Sequence, residues 1–474
     1  MSAPRKTIHF VSLGCPKNRV DTEVMLGVGA GEGFQLVSEP SDAEVIVVNT
    51  CGFIGPAKEE SIDTILEMGG FKEAGSCRKL VVTGCLSQRY PEELAKEMPE
   101  VDHFLGTSDM LKLGAVLRAS EDHPLARMLV GNPAEYSFRA TDPRMLSMAK
   151  HSAYVKIAEG CSRTCSFCII PSMRGKQRSR PLEDIVAEVE QLVANGTNEI
   201  NLVSQDTISY GRDLKEDGRN LAHLVKAIGD VKGLRWLRLF YLYPEKLTEE
   251  LIELIAHHPR VLPYVDMPLQ HASERMLKIM RRGHGPGIQR RVVERMRTQI
   301  PDLTFRTAFI VGHPGETDAD FQELCEFVKW AEFERVGVFK YSHEEGTRSE
   351  KLEQLVPEKT ISARHRKLMQ LQRPISKRKL RGLIGKELEV LVEGVSDESE
   401  FLLEGRHAGQ APEIDGKVYL ANGESEPGEL RRAIVTDAAD YDLVADLLPR
   451  QGGTADRPPG AKKVRLKTLG TANP

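Results

Sequence analysis

Apolar residues in the first part of the chain come in short unbroken runs rather than in strict alternation. Ile8-His-Phe-Val-Ser-Leu13, Val45-Ile-Val-Val48 and Lys79-Leu-Val-Val-Thr83 are each followed by a stretch with helical periodicity. Continuous β-rich runs linked by helices predict strands covered on both faces, the pattern of a doubly wound parallel sheet. Each of the three runs ends in a turn that carries a cysteine: Leu13-Gly-Cys15, Asn49-Thr-Cys51 and Thr83-Gly-Cys85. An open α/β sheet places its ligand crevice at the carboxyl ends of its strands, so three cysteines far apart in sequence are expected to converge there. The alternative is three packed core thiols, because free cysteine is often buried.

A link from Ser137 to Met148 leads into a second region of the same kind. Its runs are Ala153–Ala158, Glu199–Val203, Leu234–Leu239, Tyr264–Asp266, Thr307–Val311 and Arg335–Lys340. Between the first two lies the helical segment Pro181–Ala194, with proline in its first turn and Asn195-Gly196 as its stop. Six strands with helical connections predict a partial parallel barrel, (β/α)6, whose active groups sit where strands end. From about Leu380 the pattern changes to short runs separated by Gly and Asp turns: Glu387–Val392, Phe401–Glu404, Val418–Leu420 and Leu430–Val435. These predict a small antiparallel β-barrel. The Gly/Pro-rich basic end of the chain, 448–474, reads as a disordered tail.

Composition narrows the class. A chain of 474 residues with 40% hydrophobic and 28% charged positions is expected to form roughly three globular domains. No run is long or apolar enough for a signal peptide or membrane span, so a cytoplasmic protein is expected. In a reducing compartment eight cysteines read as metal ligands or catalytic groups rather than disulfides. Cys77 and Cys325 stand apart from the rest; Cys325 lies in the helical run Phe321–Val328 and reads as a core thiol. The overall charge of −4 hides an uneven distribution, with 16 Asp and Glu against 5 Lys and Arg between Gly385 and Leu447. A barrel this acidic repels a phosphate backbone and suits a basic protein partner.

Three further cysteines, Cys161, Cys165 and Cys168, share one loop directly after the first strand of the second region. Three thiolates on so tight a loop can hold three irons of a [4Fe–4S] cube and leave the fourth open. S-adenosylmethionine (SAM) can chelate that iron through its amino and carboxylate groups, with the adenine near Phe167. The alternative is a zinc loop completed by a distant His or Cys, although the spacing differs from paired Cys-x2-Cys patterns. Polar groups at later strand ends complete the candidate SAM site: Gln205 and Asp206, Gln270 and His271, and the turn Val311-Gly312-His313-Pro314-Gly-Glu316. Arg178 or Arg180 is expected to pair with a carboxylate of SAM or substrate. His271 and His313 are not assigned as metal ligands. For each of these polar residues a purely structural hydrogen-bonding role is the competing reading.

The segment Gly160-Cys-Ser-Arg-Thr-Cys-Ser-Phe-Cys-Ile-Ile-Pro-Ser-Met-Arg-Gly-Lys-Gln-Arg-Ser-Arg180 resembles the radical SAM methylthiotransferases. Ser12-Leu-Gly-Cys-Pro-Lys-Asn-Arg-Val-Asp-Thr-Glu23 and Asn49-Thr-Cys-Gly-Phe-Ile54 are similar to the family's amino-terminal cluster domain, and the final barrel to its TRAM domain. The resemblance implies domains at 1–140, 147–378 and 380–447. It also implies that Cys15, Cys51 and Cys85 hold a second, auxiliary [4Fe–4S] cluster whose open iron carries sulfide or a methylthio group. One SAM would then methylate that sulfur and another would yield the radical that activates a substrate C–H bond, with sulfur and electron donors as partners. Gly14-Cys-Pro-Lys-Asn18, Met173–Arg180 and Ala411–Tyr419 resemble the branch that modifies the β-carbon of an aspartate in the twelfth protein of the small ribosomal subunit. The acidic barrel agrees with a basic ribosomal-protein substrate, free or within the ribosome, and argues against direct RNA binding. The alternatives are a tRNA adenosine 2-methylthiotransferase and a non-catalytic iron–sulfur carrier.

Overall fold

The computed structural model describes residues 6–75, 77–120, 123–214 and 218–450. The 451–474 segment, which contains nearly all of the tail, lies outside the described residues. Strands β1 (Thr7–Ser12), β2 (Gln35–Leu36), β3 (Val45–Thr50), β4 (Lys79–Gly84), β5 (His103–Leu105) and β6 (Met128–Leu129) form one sheet in the order β2-β1-β3-β4-β5-β6. All its pairings are parallel. Side chains along β3 alternate between two cores. Val45 and Val47 pack with Val24, Met25 and Val28 of the helix Pro16–Gly31, while Ile46 and Val48 pack with Ile65 and Met68 of the helix Gly55–Ala74. A strand that feeds two cores must be apolar at every position, which explains its unbroken run. The chain direction across the sheet reverses between β1 and β3, so the crevice opens between their carboxyl ends.

The second unit contributes β7 (Ser152–Lys156), β8 (Ala158–Glu159), β9 (Arg178–Ser179), β10 (Glu199–Val203), β11 (Trp236–Leu239), β12 (Val261–Asp266), β13 (Thr304–Val311) and β14 (Arg335–Lys340). Six of these form an open parallel sheet in sequential order, β7-β10-β11-β12-β13-β14. The short strands β8 and β9 pair antiparallel and close the base of the loop that carries Cys161, Cys165 and Cys168. The third unit is a closed barrel of β15 (Glu387–Ser396), β16 (Ser399–His407), β17 (Val418–Ala421), β18 (Leu430–Ala438) and β19 (Leu443–Leu447). Its pairings are antiparallel apart from β17 with β19. The sequence pattern marks four of these strands; the fifth, β19, closes the barrel.

Buried charge fastens the barrel to the central sheet. Glu199 of β10 is fully buried and accepts bonds from Arg238 of β11 at 3.1 Å and Arg406 of β16 at 2.6 Å. Despite burial, the two guanidiniums hold its carboxyl down at about 2. No helix among the described residues is long and apolar enough to cross a membrane.

Candidate active site

Register brings the first cysteine triplet together. Ser12 pairs with Asn49 and Asn49 with Thr83, so β1, β3 and β4 end level and their cysteine turns stack side by side. Gly14 has φ +90°, and a Cβ there would lie 2.9 Å from the Cβ of Cys51; a Cβ on Gly52 would lie 2.8 Å from the carbonyl oxygen of Cys85. Only glycine permits both that backbone conformation at Gly14 and that approach. The Asn18 side-chain amide clamps two of the turns, donating to the carbonyls of Leu13 at 2.7 Å and Thr50 at 3.2 Å. Burial, followed by the neighbouring Cys85 thiol, pushes Cys51 up to about 12, and burial also raises Cys85. Thiols raised in this way are poor lone nucleophiles; a cationic metal centre favours their thiolate forms.

The loop triplet is held by backbone. Cys161 N–H donates to Gly175 at 3.1 Å, Ser166 N–H to Met280 at 3.0 Å, and Cys168 N–H to Cys165 at 3.3 Å. Gly160, with φ +78°, lies so close to the carbonyls of Arg174, Gly175 and Lys176 that a Cβ would come within 2.4 to 2.7 Å of them. Burial pushes Cys161 up to about 11 and Cys168 up to about 12. Among the described residues no three His, Cys, Asp or Glu side chains converge closely enough to hold a single metal ion. Thiolates of a cubane bind different corners and stand farther apart than ligands of one ion, so the donor chemistry of both triplets suits an iron–sulfur cluster.

The two triplets share a wall and a polar network. Cys85 packs against Ile169 and Met173, which follow the loop cysteines in sequence. Arg174, buried, sends one nitrogen to within 3.4 Å of the Cys85 sulfur and 2.9 Å of Asn18 Oδ1. Its other nitrogen lies 2.6 Å from Asp21 and 3.4 Å from Glu159. Lys156 bridges the same two carboxylates at 2.5 Å each. Glu159 in turn accepts from the Gly160 N–H at 3.3 Å and from Gln205 Nε2 at 2.8 Å. A continuous buried path therefore runs from the dispersed triplet to the base of the loop, and its two cations and two carboxylates balance. On the far side of the loop, Arg282 places Nη1 3.3 Å from the Cys165 sulfur.

Other expected site residues are partly spent on structure. Phe167 is half-buried, its ring edge-on to His313 with centroids 6.3 Å apart. Gln205 keeps a buried Oε1 with no protein partner. Gln270 adopts φ +71° and bridges to β13, its N–H donating to Ala308 and its carbonyl accepting from Ile310, both at 2.8 Å. Gly312 already donates its N–H to Glu316 at 2.6 Å and packs against Ile361, while Pro314 is buried and accepts from His313 Nδ1 at 3.0 Å. The expectation of a free carboxylate-binding arginine is corrected: Arg180 is paired with Asp184 and Glu188, and Arg178 bonds backbone carbonyls of Pro133, Tyr136, Arg174 and Lys176. Asp206 is likewise paired, with Arg163 at 2.7 Å.

Both histidines are internally satisfied. His271 Nδ1 accepts the N–H groups of Ala272 and Ser273, which leaves Nε2–H to donate to Glu316 at 3.1 Å. Burial holds His313 down at about 4, so it is neutral near pH 7. Sequence reasoning missed Asp21, Lys156, Glu159, Tyr243 and Arg282. Arg174 lay inside Met173–Arg180, Asp21 inside Ser12–Glu23 and Lys156 inside Ala153–Ala158, each without a role. The one local signal for Arg282 is its place in Arg281-Arg282-Gly-His-Gly-Pro-Gly287, a polar Gly/Pro turn.

Comparison with known proteins settles the family. Residues 155–328 match the Radical SAM superfamily, 7–106 the Uncharacterized protein family UPF0004, and 384–448 the TRAM domain. The ribosomal protein uS12 methylthiotransferase RimO of Sorangium cellulosum is 63% identical, over 98% of each chain. The chain belongs to the RimO family. RimO of Myxococcus xanthus is 53% identical, over 94% of this chain and 92% of its own, and RimO of Geobacter sulfurreducens 46% identical, over 94% and 100%. Among solved structures, the radical S-adenosylmethionine methyltransferase TsrM from Kitasatospora setae, with tryptophan and a SAM analogue bound, aligns at a TM-score of 0.51. It is 15% identical over 71% of this chain and 73% of its own, a likeness of fold. Membership of the radical SAM superfamily implies a [4Fe–4S] cluster and SAM for this RimO-family chain.

Proposed function

We propose that this chain transfers a methylthio group to the β-carbon of an aspartate in ribosomal protein uS12. The identity of 63% to a uS12 methylthiotransferase along essentially the whole chain carries the reading. In it, Cys161, Cys165 and Cys168 hold the cluster that engages SAM, and Cys15, Cys51 and Cys85 hold a second cluster that keeps the sulfur to be transferred. When bound, these groups supply one-electron cleavage of SAM and a transferable sulfur. The chain's own contribution is placement. Stacked glycine turns position the dispersed thiols, and the β8–β9 ribbon positions the loop. The Arg174 network fixes one triplet relative to the other.

Around SAM, the unpartnered Gln205 Oε1 is the acceptor for a ligand N–H or O–H, since a buried carbonyl left unpaired costs free energy. Phe167 and the backbone at Gln270, Gly312 and Pro314 frame the remainder. The domains divide at 1–140, 147–378 and 380–447, and the reaction is placed in the cytoplasm. The acidic barrel, with 16 carboxylates against 5 basic residues, suits a basic ribosomal protein rather than RNA phosphate. The matched RimO relatives carry the uS12 activity in their names, which favours this substrate over tRNA adenosine. The test is mass spectrometry of uS12 and of tRNA from cells with and without the protein. A methylthio group lost from one uS12 aspartate is expected; loss from tRNA alone would overturn the assignment.

A further inference from the structure

Four arginines have side chains among the most completely buried in the described residues, and three of them have carboxylates. Arg180 lies on Asp184 and Glu188, Arg238 on Glu199, and Arg406 on Glu199 and Glu393. Arg282, only 2% exposed, has no Asp or Glu within ion-pair reach among the described residues. Its Nη2 donates to the Pro268 carbonyl at 2.8 Å, and Nη1 lies 3.3 Å from both Tyr243 Oη and Cys165 Sγ. Its Nε is buried with no partner. The guanidinium stacks 4.4 Å from the Tyr243 ring centroid. The same ring carries Arg163 at 3.6 Å, which pairs with Asp206 and Glu245, each at 2.7 Å, so that neither carboxylate bonds Arg282.

A buried cation without an anion is costly, by several kcal/mol in real proteins. Hydrogen bonds to a neutral phenol and a carbonyl satisfy donors but do not cancel charge. Two groups beside Arg282 can become anions, the Tyr243 phenol and the Cys165 sulfur, and of these only the sulfur is a cluster ligand in the proposed reading. Arg174 approaches Cys85 in a similar way, yet it sits with Lys156 between Asp21 and Glu159 and brings no net charge.

We propose that Arg282 is the built-in counter-ion of the cluster on the loop cysteines, a positioning residue whose charge, paired directly with no carboxylate, and N–H···S bond make that cluster easier to reduce. The inference rests on the reading of Cys161, Cys165 and Cys168 as cluster ligands. Reduction adds one electron from an external low-potential donor; no bond to Arg282 forms or breaks, and no proton is required. Hydrogen bonds and positive charge near cluster sulfurs raise a reduction potential, and charge that is not cancelled locally acts most strongly in a dry site.

The test uses the full chain, reconstituted anaerobically with Cys15, Cys51 and Cys85 replaced by alanine so that one cluster signals. Its midpoint is followed by paramagnetic resonance during redox titration. Arg282→Gln is expected to move the midpoint negative by about 60 mV, a tenfold change in a one-electron equilibrium, with iron content unchanged. Arg282→Lys, which keeps the charge, is expected to move it by less. Loss of iron in Arg282→Gln but not in Arg282→Lys also supports the counter-ion role. A wild-type midpoint in an iron-loaded Arg282→Gln overturns it, as does loss of iron in both variants. If the parent with Arg282 intact takes up no iron, the ligand assignment itself has failed.

Discussion

The dispersed cysteines and the loop cysteines differ in what holds them and in what balances them. Cys15, Cys51 and Cys85 depend on sheet register and on glycines that let three turns touch, so their geometry is a property of the whole first sheet. Cys161, Cys165 and Cys168 depend on an eight-residue stretch pinned by a two-stranded ribbon and a few backbone bonds. The charges differ as well. The first set faces a neutral quartet through Arg174, the second an unpaired arginine. On the proposed reading, one site stores a group and the other takes up an electron, and these make different electrostatic demands.

The largest effect is expected where the two regions join. Glu159→Ala leaves Lys156 and Arg174 buried against Asp21 alone, and loss of one partner from a buried ion network costs about 3–5 kcal/mol. Urea unfolding of the cluster-free protein measures this. Next comes acid. Against the effect of burial, His284 and Arg163 hold Glu245 at about 2, below its ordinary 4.5, so its stabilisation is complete above 4.5 and is lost as the pH falls towards 2. Thermal unfolding followed from pH 5 downwards should show a smaller loss in Glu245→Gln, whose side chain no longer titrates.

Gly14→Ala probes the dispersed set alone. The φ of +90° and the contact with Cys51 predict a cost of about 1–3 kcal/mol and lower iron content at that site, with the loop cluster's resonance signal intact. The smallest effect is expected for Cys325, in the core beside Leu324 and Val328. Cys325→Ala should cost about 1 kcal/mol in unfolding experiments and leave iron content unchanged.

The long strands were legible because a strand feeding two cores must be apolar throughout, as β3 shows. The short strands β2, β5 and β6, of two or three residues, carry too few positions to show a period, and β19 was missed at the end of the barrel. Six cysteines stood out by spacing and by their place at strand ends. Their partners did not: Asp21 lies 135 residues from Lys156 in sequence, and a buried salt network leaves no local pattern. Arg178 and Arg180 show the converse error. Arginine close to a candidate ligand site suggested an anion partner, yet in the fold these two anchor backbone and helix.

The division of labour between the triplets is tested most directly by anaerobic reconstitution of three proteins: wild type, one with Cys15, Cys51 and Cys85 replaced by alanine, and one with Cys161, Cys165 and Cys168 replaced. Iron, 5′-deoxyadenosine and methylthio transfer to uS12 are measured on each. Each variant should hold about half the wild-type iron, as expected for one cluster per triplet. The first should still form 5′-deoxyadenosine but transfer no methylthio group, and the second should do neither. Full iron content in the first variant, or methylthio transfer without its dispersed cysteines, would contradict the account.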